Sequence, residues 1–483
     1  MGLRKLAASV RALAVWLLIA AATMQPRPVG ATQLAPIDDR IVRTGGEWAR
    51  RPTVGAADPR GDGYSVPSRF LCRVHVCVHW VATTTDAPPP LDRNGNGVPD
   101  EVDLTLEAIN NAWRVEVDRL RFRAPMSDMS SMDHGPDGRL DVYLADIGAE
   151  DLAGYTASDD PHANDGGYPF RTYSAYVVVD NDFSFAQLGT YGGPGGLKAT
   201  AAHELFHAVQ YAYDAGEDPW LMEGSAVWME DQVADDVNAN RSRLGHSPMS
   251  QPWVPIDSSR GLHEYGAWIF WRYLSESLGG RGVSLVRRVW EVSADGPGDP
   301  NLFSARAVAR VLASRGRSLA STLAGFAVWN LAPSRFYAEG SAYPAAPVTW
   351  EPPLTANHQA TGWRTVRVDH MATAAVAFSP GSGDPTHGSI RLSLDAPPTA
   401  TAAAARVAIF FRSGAIRIVP AALNDLGDVD LRLPFGRATV SHVVLFVANA
   451  GTDFRCWTGG GYSCNGRSRD DRMPFSYLAA LVR

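Results

Sequence analysis

Residues 199–214 read ATAAHELFHAVQYAYD, with His203-Glu204-Leu205-Phe206-His207 at their centre. The stretch is apolar and helix-forming. Residues four apart lie one above the other on a helix, so both imidazoles can face a single ion. Glu204 follows the first of them and can reach a water held there. This is the His-Glu-x-x-His arrangement, with two neutral imidazoles as zinc ligands and a carboxylate as general base. The competing reading is a helix with two half-buried histidines and a solvated glutamate.

Two imidazoles leave a zinc ion short of a protein ligand. The next helical pattern, residues 220–231 (WLMEGSAVWMED), offers Glu223 and Glu230. They are seven apart and share a helical face, so only one is expected to touch the ion. Apolar neighbours at Trp220, Leu221, Ala226, Val227 and Met229 bury this helix, and a buried carboxylate needs a partner. Asp214 is a weaker rival. Tyr213 and Gln210 occupy the positions where the three-histidine extension of the motif needs His and Gly, which excludes that pattern.

The chain has 483 residues, 45% hydrophobic and 20% charged, with a net charge of −7. That is a globular composition long enough for two or three domains. The acidic balance argues against nucleic-acid or anionic-membrane partners. Arg4, Lys5 and Arg11 precede an apolar stretch at 12–24, and Val29-Gly30-Ala31 supplies the small residues of a cleavage site. A signal peptide over 1–31 is therefore expected. The apolar stretch is short for a membrane span. Cleavage removes four positive side chains and no negative ones, taking the charge from −7 to −11. The expectation is a secreted chain without stable membrane insertion. Four cysteines fit an oxidising compartment. Of three connectivities, local pairing of Cys72 with Cys77 and Cys456 with Cys464 is simplest. A metal site from Cys72, His75, Cys77 and His79 is the weaker alternative.

Residues 32–66 lack periodicity and read as an extended arm or pro-segment. Strand character marks 73–84, the run after the turn at 137–141, and 175–180. Helical periodicity marks 101–120, 220–233, 266–278, 283–292 and 305–329. From 348 onward, short β-rich runs at 364–368, 389–394, 407–411, 442–448 and 475–482 alternate with Gly, Pro and Asp turns. The expected fold class is α+β, with one domain over 67–347 followed by an all-β sandwich over 348–483.

Residues 92–103, DRNGNGVPDEVD, place Asp92, Asn94, Asn96, Val98 (through its carbonyl), Asp100 and Asp103 where an EF-hand-type loop holds calcium, with glycine at position six. Asp at position twelve has a shorter arm than the usual Glu, and Pro99 is unusual there. The alternative is a plain Asn/Gly turn. A second acidic turn at 133–141 lacks an oxygen ligand at its twelfth position, Leu144. The run 192–200 is glycine-rich but fails the phosphate-loop pattern. Its glycines are read as a tight lead into the motif helix. The strand at 177–179 is read as an exposed edge able to align an extended peptide.

HELFH followed by WLMEGSAVWMED resembles the gluzincin metallopeptidases. More closely, DRNGNGVPDEVD, DGRLDVYLAD, YVVVDND, AAHELFHAVQYAYD, WLMEGSAVWMED and YGAWIFWRYLSE in this order resemble a group of secreted bacterial metalloproteases over roughly 70–345. The resemblance implies a zincin-like metallopeptidase domain, a protein or peptide substrate, and Glu223 as third zinc ligand, although its gap from His207 is shorter than usual. Tyr265 resembles, loosely, a tyrosine that donates to the oxyanion. A core tyrosine is the other reading, and His263 is a poorer candidate for that role. A non-cleaving binder and a calcium-stabilised adhesion protein are the rival functions.

Overall fold

The computed structural model describes residues 51–52, 63–131, 133–150, 152–164, 169–279, 282–382 and 388–482. The expected leader at 1–31 lies outside the described residues, as does most of the arm at 32–66. The chain divides into two compact units, Met1–Ser242 with Arg281–Ala307, and Arg243–Gly280 with Val308–Arg483. These are interleaved, whereas the sequence reading placed a single cut after residue 347.

The elements used below are β1 (Arg69–Arg73), β2 (Val76–Trp80), α1 (Asp100–Trp113), β3 (Leu140–Ala145), β4 (Gly154–Ala157), β5 (Tyr176–Asp180), α2 (Gly193–Asp214), α3 (Pro219–Val233), α4 (Trp268–Ser277), α5 (Gly282–Ser293) and α6 (Leu319–Leu331). In the first unit the sheet runs β1-β2-β3-β5-β4. β1 and β2 form an antiparallel hairpin with Cys72 opposite Cys77, which are joined by a disulfide. A thiolate metal site at these cysteines is thereby ruled out. β2, β3 and β5 are parallel, and β4 pairs antiparallel with β5 at the edge. β5 is thus an interior strand, not the expected edge. Its run of Val177, Val178 and Val179 is fully buried, as a parallel strand covered on both faces must be.

Strand alternation sorts the sheet into two faces. Tyr143, Ala145, Tyr155, Ala157, Tyr176 and Val178 pack in one cluster with Tyr64. The opposite face carries Gly154 and Thr156, which meet α2. The glycine-rich lead into α2 has a steric cause at Gly196, where a Cβ would stand 1.6 Å from the Tyr191 carbonyl oxygen. Phe206 of α2 meets Phe122 edge-on at 5.0 Å. Burial of such a ring contributes roughly 1.5–3 kcal/mol. α1 does not continue as an α-helix to residue 120: from Arg114 to Arg119 it becomes π-helical, a form that recurs at functional sites.

Part of the expected arm is built into this unit. Arg51 is fully buried, with ion pairs to Asp128 at 2.8 Å, Asp141 at 2.5 Å and Asp159 at 2.8 Å. Tyr64 donates to the Leu144 carbonyl at 2.7 Å.

The second unit holds β6 (Thr349–Trp350), β7 (Arg364–Val368), β8 (Ala372–Phe378), β9 (Ser389–Asp395), β10 (Ala403–Phe411), β11 (Ile416–Ala421), β12 (Asp428–Pro434), β13 (Val440–Asn449), β14 (Phe454–Arg455), β15 (Arg467–Ser468) and β16 (Met473–Val482). They form sheets β11-β10-β13-β8-β6 and β12-β9-β16-β7 and a small β14-β15 ribbon. Val407, Ile409 and Leu445 of the larger sheet share one apolar core with Ile390, Leu392 and Phe475 of the smaller. The larger sheet's other face, through Ala377, Ala408, Val444 and Phe446, packs on Ala327 and Val328 of α6. This apolar cover explains why α6 belongs with the strands. The expected helix over 305–329 is interrupted: Gly316 has φ +69° and the Ser318 side chain caps α6 by accepting from the Ser321 N–H at 3.0 Å. Cys456 and Cys464 form the second local disulfide.

Candidate metal centre

α2 and α3 are linked by a short turn, so residues on their facing sides meet. The turn is fixed by buried charge. Arg171 binds Asp214 at 3.0 Å and Asp295 at 3.0 Å. Ser304 N–H lies 3.0 Å from both oxygens of Glu217. Asp214, the weaker candidate ligand, is thus engaged by an arginine.

His203, His207 and Glu223 come together as a buried group that could hold a metal ion, with one ligand atom from each lying within 4.8 Å of the others. Glu223 Oε2 is 3.3 Å from His203 Nε2 and 3.4 Å from His207 Nε2. A tetrahedral ion with bonds of about 2.0–2.1 Å keeps its donors roughly 3.3 Å apart, so the donor set fits. The other ring nitrogens are already engaged. His203 Nδ1 meets Glu230 Oε1 at 2.8 Å, and His207 Nδ1 meets Gln210 Oε1 at 2.7 Å. Outer partners of this kind fix tautomer and ring orientation, turning each Nε2 toward Glu223. The two acids left open by sequence spacing therefore divide by position: Glu223 faces both Nε2 atoms, whereas Glu230 backs His203.

Gln210 also ties the helices together, donating to the Met222 carbonyl at 2.8 Å and to Ser225 Oγ at 3.2 Å. Trp290 of α5 braces Ser225 through its indole N–H at 3.1 Å.

The electrostatics are those of a trapped cation. Burial opposes the charged form of His203, but hydrogen bonds to Glu223 and Glu230 and the charge of Glu204 outweigh it and hold the imidazole up at about 10. Burial alone would raise Glu223, yet His207 and His203 pull it well below the usual carboxylate range. Glu204 is pushed up by burial, against the pull of His203 and His207 and of a hydrogen bond from Thr156. Thr156 Oγ1 lies 2.8 Å from Glu204 Oε2.

Two neighbours of the centre carry no motif. Thr156 comes from the edge strand β4. Glu116 comes from the π-helical turn, fully buried, with neither carboxylate oxygen hydrogen-bonded. Burial raises its carboxyl well above the usual range, and the charge of His203 acts on it in the opposite sense. The π-helical turn that carries Glu116 leaves no mark in the sequence. For Thr156 the sequence holds no signal.

Tyr265 lies in the second unit, on the short helix His263–Gly266. It is buried, with the Arg243 guanidinium 5.5 Å from its ring centroid.

In the loop at 92–103 each aspartate has partners within the loop itself. Asp92 accepts from the backbone N–H groups of Gly95, Asn96 and Gly97 at 2.8, 3.1 and 2.8 Å. Asp100 pairs with Arg93 at 3.0 Å. Asp103 accepts from the side-chain amides of Asn94 and Asn96 at 3.0 and 2.7 Å. Gly95 and Gly97 have φ of +70° and +83°, which explains glycine at both.

No family model and no curated protein matches the chain. Among solved structures, a surface-associated copper-binding protein of Methylomicrobium album BG8 aligns over 28% of this chain and 98% of its own, at 9% identity and a TM-score of 0.16. A family GH115 4-O-methyl-alpha-glucuronidase with specificity for decorated arabinogalactans aligns over 60% of this chain and 38% of its own, at 8% identity and a TM-score of 0.15. Scores this low carry no argument about fold or function. Among the described residues no helix is long and apolar enough to cross a membrane.

Proposed function

We propose that the chain is a secreted zinc-dependent peptidase whose first unit is zincin-like and whose second unit carries a β-sandwich. The observation that carries this is the convergence of His203 Nε2, His207 Nε2 and Glu223 Oε2, with a buried, hydrogen-bonded carboxylate next in sequence to the first of them. The donor set of two imidazoles and one carboxylate is the catalytic zinc set, which leaves a position open. Zinc bound there supplies Lewis-acid charge to a scissile carbonyl and lowers the pKa of a water towards about 7.

The chain's own groups do the rest. Glu204 takes the proton of the attacking water and returns it to the departing amine. Glu230 and Gln210 hold the imidazoles in the ligating tautomer. Tyr265 is assigned the oxyanion contact by resemblance alone. The loop bearing Asp92, Asn94, Asn96, Val98, Asp100 and Asp103 is assigned to a structural calcium ion, after rearrangement of its present hydrogen bonds.

Metal analysis combined with casein hydrolysis tests the reading. One zinc per chain and chelator-sensitive cleavage are expected, with Glu204→Gln reducing the rate by about 10²- to 10⁴-fold while retaining zinc. Zinc without cleavage would point to a binding protein instead, and calcium alone to an adhesion protein.

A further inference from the structure

The base of the proposed reaction is gripped by a strand that no motif marks. β4 runs antiparallel at the edge of the first unit's sheet, with Thr156 opposite Val177 and Gly154 opposite Val179. Alternation sends Tyr155 and Ala157 into the far core. Gly154 and Thr156 are left facing α2. At Gly154 the strand comes so close that a Cβ would stand 2.7 Å from Thr200 Cγ2 and 3.0 Å from Glu204 Cγ. Two residues on, the Thr156 hydroxyl sits 2.8 Å from both Glu204 Oε2 and the Glu204 backbone oxygen. Thr156 and Glu204 are both buried, at 7% and 3% exposure. Among the described residues no other hydrogen bond reaches this carboxylate, so Oε1 is left for water or substrate.

We propose that Thr156 is a positioning residue for Glu204, holding its carboxylate in the orientation from which it takes and returns a proton. This rests on Glu204 being the base. A glutamate has three rotatable side-chain torsions, and misplacing a reacting group by 1 Å costs on the order of 10²-fold in rate. The β4 contact removes that freedom from one side. The glycine lets the strand approach, and the threonine supplies a hydroxyl at the right depth. A hydroxyl both donates and accepts. With Glu204 ionised, Thr156 donates to Oε2. When Glu204 carries the transferred proton on Oε1, Thr156 still donates to Oε2, so the acid's O–H stays aimed at the departing amine. One rotamer serves both stages of the reaction.

The test compares Thr156→Val, which keeps shape and β-branching but loses the hydroxyl, with Thr156→Ser, which keeps the hydroxyl. Steady-state cleavage of fluorescein-labelled casein, zinc content and crystal structures are measured on the full chain. Thr156→Val is expected to lower kcat about 10- to 100-fold, the usual scale for an outer supporting contact. KM and zinc stoichiometry should stay near wild type, and Thr156→Ser should restore most of kcat. In crystals the Glu204 carboxylate should be ordered in wild type and Thr156→Ser and spread over several orientations in Thr156→Val. An unchanged kcat in Thr156→Val, a serine variant as slow as the valine one, or a single unchanged Glu204 orientation in the Thr156→Val crystal would each overturn the proposal. If wild type does not cleave casein, the peptidase reading fails, and the paired crystal structures still decide whether Thr156 orders Glu204.

Discussion

Two stretches of the first unit carry metal-type donors, and they behave differently. At the α2–α3 centre, each helix satisfies its own backbone, so the side chains turn to one another. His203 and Glu223 are 4% and 8% exposed, and their ligand atoms gather at one point. In the 92–103 loop, backbone N–H groups have no helical partner, and Asp92 is spent on three of them. Asp100 and Asp103 are held by Arg93 and by two asparagine amides. Donors on packed helices are thus gathered by the packing itself, whereas donors on the loop also satisfy the chain's own N–H groups.

The largest effect should come from removing a donor at the arranged centre. Glu223→Ala takes away one of three ligating groups, whereas Glu230→Gln leaves all three and weakens only the support of His203. Loss of an outer partner costs about 10- to 100-fold in metal affinity. Competition against a chromophoric chelator should therefore show Glu230→Gln binding zinc within that range and Glu223→Ala binding far more weakly than that. Equal losses in the two variants would mean that Glu230 coordinates, and that the split between the two acids drawn from the metal-free geometry is wrong.

The helix spacing of His203 and His207 was legible in the sequence because a four-residue interval fixes a shared face whatever the rest of the fold does. The third ligand was legible only as a pair. Glu223 and Glu230 share a face by the same arithmetic, and it took the packing of α3 on α2 to put Glu223 at both Nε2 atoms and Glu230 at His203 Nδ1. Gln210 was noted only as the residue standing where another motif has glycine, yet it fixes His207 and links the two helices. Thr156 and Glu116 reach the centre through sheet pairing and a π-helical turn, which leave no local periodicity. Strand order misled in one place: the valine run at 177–179 has edge-like alternatives in sequence, but covering by β3 and β4 on its two sides makes it interior. Arg51 shows the reverse error, since an aperiodic, polar segment still supplied a buried ion-pairing anchor.

A smaller effect separates the centre from the loop by pH. In the metal-free protein His203 is held at about 10, above its ordinary 6.5, by Glu223 and Glu230. A raised folded-state value means that the imidazolium stabilises the fold fully below pH 6.5 and that this contribution is lost as the pH rises towards 10. Glu223, depressed by His207 and His203 against the effect of burial, contributes above its ordinary 4.5 and loses that only in strong acid. The metal-free Tm should therefore be highest near pH 4.5–6.5 and fall by several degrees towards pH 10. Zinc replaces the proton between the same groups, so the zinc-loaded Tm should stay level through that window. A metal-free Tm that is flat from pH 6.5 to 10 would show that His203 is not clamped as a cation.

The smallest expected effect concerns the loop. Sites in extracellular modules bind calcium with Kd values of about 10⁻⁴–10⁻³ M. At ten times Kd, binding stabilises by about 1.4 kcal/mol, which amounts to roughly 2–4 °C in Tm for a unit of this size. Calcium at several millimolar should raise the Tm by that amount, and Asp92→Asn, whatever it does to the starting Tm, should remove the increment. Arg93→Ala should enlarge it, because Asp100 Oδ2 loses the guanidinium 3.0 Å away and only Oδ1 stays held, by the residue 93 N–H at 2.9 Å. A Tm indifferent to calcium in both wild type and Arg93→Ala would mean that the loop's hydrogen bonds are its final state and that 92–103 is a turn. A calcium increment unaffected by Asp92→Asn would place the ion elsewhere in the chain.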